Sequence, residues 1–186
     1  MLRRHALFLL LPFAAGASPS SGTPPRSLGF GPVALGMPRA DAVRALGPQV
    51  LVAPLCQGTE GALFDWDVPA LAPAPGRRVP AMVMFGGAGG APDAVSEIEA
   101  TSAQPGARLD AVAWQALLQR QATAAAAGSG RRFAEVERSL QPQGRTVLLR
   151  LDHPSGTLHL AARWMRAGGC HTRLHWLATG ARAVIA

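Results

Sequence analysis

No lysine and no tyrosine occur in this chain of 186 residues, cysteine occurs twice, and no apolar run approaches the length of a membrane span. A spanning helix needs about 18 or more consecutive apolar residues, so no membrane span is expected. Six Phe and four Trp are too few to build an exposed stacking platform for sugars or bases. Positive charge is carried by Arg alone: eighteen against eleven acidic residues, a formal net charge of +7. These arginines are scattered singly or in pairs, as in Arg77-Arg78 and Arg131-Arg132, and never form a run of five. Without a basic cluster the charge reads as the composition of a GC-rich genome, and no nucleic-acid partner is expected. Apolar residues, by contrast, are abundant. With 48% hydrophobic and 16% charged residues the chain is globular, of a length for one compact domain or two small halves sharing a core.

Residues 1–17 have the three regions of a secretory signal peptide. Arg3, Arg4 and His5 form the positive leader, Ala6 to Ala15 the apolar stretch, and Ala15-Gly16-Ala17 the small-x-small cleavage pattern. Pro12 and the Ser-, Pro- and Gly-rich stretch that follows oppose a buried helix, so residues 18–27 are expected as a disordered linker. Export to the periplasm or the medium is the expectation. The first Cys after the apolar stretch is Cys56, so no lipid anchor is expected. In an oxidising compartment Cys56 and Cys170 are candidates for a disulfide, which would stabilise by roughly 4–5 kcal/mol on the chain-entropy account.

From Gly29 onward the chain reads as two successive units. Pro38 suits the first turn of a helix, Gly47 its end, and Pro48 stops continuation, so Arg39 to Leu46 is predicted helical. Four strand candidates follow: Gln49–Cys56, Ala62–Val68, Val79–Phe85 and Val95–Thr101. Asp110 then caps a long helix to Ala127, in which Val112, Ala113, Ala116, Leu117 and the Ala run supply the expected buried stripe. Four further strands are predicted at Arg131–Ser139, Arg145–Asp152, Thr157–Trp164 and Cys170–Ala178, separated by Gly- and Pro-rich turns. Alternation sets their register. Pairing Leu151 with Leu158 and Trp164 with Cys170 gathers Val147, Leu149, Leu160, Leu174 and Trp176 on one face, and a one-residue slip scatters them.

The expected fold class is therefore α+β, a short helix plus a four-stranded antiparallel meander occurring twice, over residues 28–104 and 105–182. The charges of the halves differ. Residues 27–99 hold four Arg against seven acids, net −3, and residues 100–186 hold eleven Arg against four acids, net +7. Opposite potentials favour mutual docking or two distinct patches for a partner.

The segment Val33-Ala34-Leu35-Gly36-Met37-Pro38 to Ala45-Leu46-Gly47, with Phe64-Asp65-Trp66 behind it, resembles a pattern shared by exported bacterial proteins. It is similar to the BamE-like (SmpA/OmlA) envelope proteins and, in tandem form, to the secreted beta-lactamase-inhibitory proteins. The resemblance covers about 35 residues and implies a helix-on-sheet domain that works by protein–protein contact. This chain departs from the pattern in having no lipid-attachment Cys and no Cys pair within each half.

On the predicted register His159 lies opposite His175 on the outer face, with Arg150 beside His159 and Arg163 opposite His171. Two facing imidazoles can share a transition metal, which makes His159 and His175 the candidate metal ligands. Glu135 and Glu137 are expected on the same face as partners of Arg173 and Arg163. Other motifs dissolve on inspection. Cys170 and His171 are neighbours on a strand and point to opposite faces, so they form no thiol–imidazole pair. The glycines of residues 86–90 lack the Lys-Ser/Thr ending of a phosphate loop. Ser155 sits in a turn without the context of a nucleophile elbow. Asp65 and Asp67 alternate outward as solubilising residues. No catalytic residue and no cofactor are expected. The functional expectation is a non-catalytic binding or protein-interaction module of the periplasm, its partner another envelope or secreted protein. The alternatives are a metal-binding protein or enzyme using the His159/His175 face, and an envelope-assembly component.

Overall fold

The computed structural model describes residues 27–55, 59–71, 76–86, 93–104 and 108–179. The expected leader, the linker up to residue 26, and Cys56 lie outside the described residues. A hairpin of β1 (Gly29–Phe30) and β2 (Val33–Ala34) precedes helix α1 (Arg39–Leu46). Strands β3 (Val52–Pro54), β4 (Glu60–Trp66), β5 (Val79–Phe85) and β6 (Val95–Gln104) lead to helix α2 (Ala111–Ala126). The described chain closes with β7 (Ala134–Gln141), β8 (Gly144–His153), β9 (Gly156–Met165) and β10 (Cys170–Ala178).

Strands dominate, and eight of them form one antiparallel sheet in the order β3-β4-β5-β6-β10-β9-β8-β7. This corrects the expectation of a helix-plus-meander fold occurring twice. The chain builds one continuous sheet with a two-stranded hairpin and two helices among the described residues. The physical reason is the seam between β6 and β10, where eight residue pairs from Cys170↔Gln104 to Leu177↔Glu97 satisfy two edges that would otherwise stand open. The register of the final hairpins is as alternation predicts, with Leu151↔Leu158, Trp164↔Cys170, His159↔His175 and Arg163↔His171.

A single buried cluster runs under the whole sheet, including Val83, Ile98, Val147, Leu151, Leu158, Leu160, Leu174 and Trp176. Both helices and the hairpin pack on this same face. The hairpin delivers Phe30 against Trp176 at 5.6 Å and against Phe64 and Trp66 at 6.3 Å between ring centroids, so the scarce aromatics are spent inside. In α2 the Asp110 carboxylate accepts from the Ala113 N–H at 2.7 Å, the expected cap. The buried stripe, however, is Trp114, Leu118, Gln121 and Ala122, while Val112 is 78% exposed. The helix is rotated from the expected face because Trp114 packs on Trp164 and Gln121 accepts a buried hydrogen bond from Thr172 at 3.1 Å. No described helix is long and apolar enough to cross a membrane.

Candidate functional site

The opposite face of the sheet carries no helix among the described residues, and strand register alone decides what stands there. Side chains alternate across a strand, and directly paired residues lie on the same face about 5 Å apart. Paired positions run in one transverse row through seven strands: Leu63, Met82, Glu99, His175, His159, Arg150 and Ala134. The β4–β5 end of the row is apolar, with Leu63 70% exposed and Met82 and Met84 half-buried. The middle is ionisable, and at the far end Arg150 is paired with Asp152 before the row closes on Ala134.

The structure brings the two predicted metal ligands together, with the His159 and His175 rings 6.5 Å apart between centroids and inclined at 52°. It also places two acids beside them that the sequence reading did not include. His175 Nε2 contacts the Glu97 carboxylate across the β6–β10 seam, and Arg173 lies 3.8 Å from Glu99. Ligand atoms of Glu97, Glu99 and His175 all lie within 4.8 Å of one another. Next to them a small cavity of about 40 Å³ is walled by His159, His175, Arg173, Leu148 and Ala161. His175 is 7% exposed, whereas the carboxylates are half-buried. Burial pushes the His159 imidazole below its ordinary value. His175 and Arg150 add to that depression, and Asp152 partly offsets it. His159 is thereby kept in the neutral form that a metal requires.

Comparison with family models, curated proteins and solved structures returns no match. The geometry carries the functional reading by itself.

Several expected partnerships are rearranged. Glu135 faces the helix side of the sheet opposite Leu149, and it pairs bidentately with Arg138, not with Arg173. A bulge between Glu135 and Glu137 causes this, turning Glu135 toward a groove of about 600 Å³ shared with Phe133 and α2. Glu137 pairs with Leu148 on the outer face and makes no described ion pair with Arg163. Arg173 is instead met by Glu99, because its neighbour in space is β6. A signal for the missed acids was present: Glu97 and Glu99 alternate with Ile98 and Ala100, the pattern of a strand with one acidic face.

Cys170 is a free thiol, buried on the core side, and burial raises its pKa. Its expected disulfide partner, Cys56, lies outside the described residues. Ser155 is a turn residue as expected, and its hydroxyl accepts from the Leu28 N–H at 2.8 Å, tying the first hairpin to the β8–β9 turn. Phe64 and Trp66 face the core while Asp65 is exposed on the other face.

Proposed function

We propose that this chain is an exported, non-catalytic binding protein of the periplasm or the extracellular medium, and that its helix-free sheet face docks a partner protein. The observation that carries this reading is the asymmetry of the sheet. One face is covered by α1, α2 and the hairpin, whereas the other presents the exposed Leu63 with Met82 and Met84, bordered by Glu99 and Glu97 on β6, and carries an exposed arginine flank further across the sheet on β9. On that flank Arg163 and His171 stand opposite each other and exposed, and Arg163 has no ion-pair partner among the described residues. The complementary surface is an apolar patch for Leu63 with carboxylates placed apart from it to meet Arg163, on another envelope or secreted protein. Burying a Leu side chain in such a contact contributes about 1.5–3 kcal/mol, and the charged border steers approach and orientation. The leader-like residues 1–17 support delivery outside the cytosol.

The test uses the full chain as bait against envelope and secreted fractions, together with two variants. Leu63→Asp with Arg163→Glu alters the open face, and Val112→Asp alters the exposed side of α2. The expected result is a captured protein that weakens with salt, is lost with the open-face variant and survives the α2 variant. Capture that ignores the open-face variant, or no capture at all, overturns the reading. The leader is tested separately by N-terminal sequencing of the mature protein, which is expected to begin after Ala17.

A further inference from the structure

The middle of the open face holds a second chemistry that protein docking does not require. A strand distant in sequence meets a hairpin there: β6 brings Glu97 and Glu99, while the β9–β10 hairpin brings His159 and His175. We propose that Glu97, Glu99 and His175, with His159 closing the fourth side, bind one divalent transition-metal ion of the zinc type.

The donor set selects the class of ion. Imidazole nitrogen with carboxylate oxygen suits borderline first-row divalent metals, whereas calcium and magnesium prefer oxygen alone and cuprous ion prefers sulfur. Charge agrees as well. Two carboxylates match the two positive charges of the ion, while Arg173, whose Nη1 lies 3.8 Å from Glu99 Oε2, stays beside it as a further positive charge. Geometry supplies the rest. The ligand atoms of Glu97, Glu99 and His175 already lie within 4.8 Å of one another, so bonds of about 2.0–2.2 Å need only small side-chain adjustments. The His159 ring faces His175 across the small cavity, which gives an incoming ion or its water a place beside the two imidazoles. The strands fix the Cα positions, so only side-chain rotamers have to move. The site is half-buried and not sealed, so the ion enters from the open face.

The experiment is titration of the chelator-stripped full chain with Zn²⁺ by calorimetry and with Co²⁺ by visible absorption. One ion per chain is expected, at a dissociation constant of about 10 µM or tighter. Co²⁺ is expected to give the intense visible bands of a low-coordinate site. His175→Gln is expected to weaken binding by tenfold or more, and Glu99→Gln, at a more accessible position, likewise. His171→Gln, exposed on the same strand, leaves binding unchanged. Near-ultraviolet circular dichroism shows whether each variant is folded, and Glu99→Gln carries the test if His175→Gln is not. No saturable uptake by the unsubstituted chain overturns the proposal, and so does equal affinity in the folded Glu99→Gln variant. Loss of metal binding with partner capture intact leaves the docking reading standing, so the two fail separately.

Discussion

His159 is held in place by two strand neighbours, His175 on β10 and Arg150 on β8, with Arg173 and Asp152 also facing it. Its pKa in the folded chain lies below the unfolded value of about 6.5. The unfolded chain therefore takes up this proton first as pH falls. The contribution of His159 is intact above about pH 6.5 and is lost as pH drops through the folded value. Urea unfolding in the presence of chelator is expected to show stability declining on the acid side of neutrality, with a shallower decline in His159→Gln. Gly156 imposes a different constraint. Its φ is 151°, and a Cβ there would run into the carbonyl oxygen of Leu177 and come 2.8 Å from Leu35 Cδ1. Gly156→Ala is expected to cost about 2–4 kcal/mol, read as a lowered urea midpoint. The Cys170 thiol, buried and shifted upward, is expected to resist alkylation in the folded Cys56→Ser chain and to react once denaturant is added.

Helix α2 is anchored by side chains that a hydrophobic pattern does not mark. Gln121 sits in its buried stripe and accepts from Thr172 of β10, while Trp164 Nε1 donates to the Leu109 carbonyl at 2.8 Å just before the helix. Thr172→Val strands the Gln121 amide and is expected to cost about 1–3 kcal/mol, whereas adding Gln121→Leu recovers most of the loss. Chemical denaturation of both singles and the double closes that cycle. The same contact explains why the helix face was misjudged. Alanines at 113 and 116 fit either side, so the bulk of Trp114 and the polar reach of Gln121 decide the rotation. The β8–β9 and β9–β10 hairpins were legible for the opposite reason: their partners are near in sequence and their alternation allows one register only.

At the scale of the whole molecule the sheet ends, among the described residues, on two edge strands, β3 and β7. Strand β7 is exposed almost throughout, including Val136 at 57% and Leu140 at 67%, and would invite pairing with another copy. It is guarded by the bulge at Glu135/Glu137 and by the Arg138–Glu135 pair. Replacing Glu135, Glu137 and Arg138 together by Val is expected to produce concentration-dependent association in sedimentation velocity, while the unsubstituted edge resists it. The seam between β6 and β10 was not legible, since its partners are separated by α2 and three strands and no local rule links them. With it went Glu97 and Glu99, so half of the candidate metal site depended on a contact that only the assembled sheet creates.

That seam has a consequence for how the chain is made. A polypeptide emerging from its N-terminus presents β6 well before β10 exists to cover it, and for that interval β6 is a sticky margin. In that interval the negative charges at Glu97 and Glu99 would oppose edge pairing with a second copy, as like charges do, until His175 and Arg173 arrive to meet them.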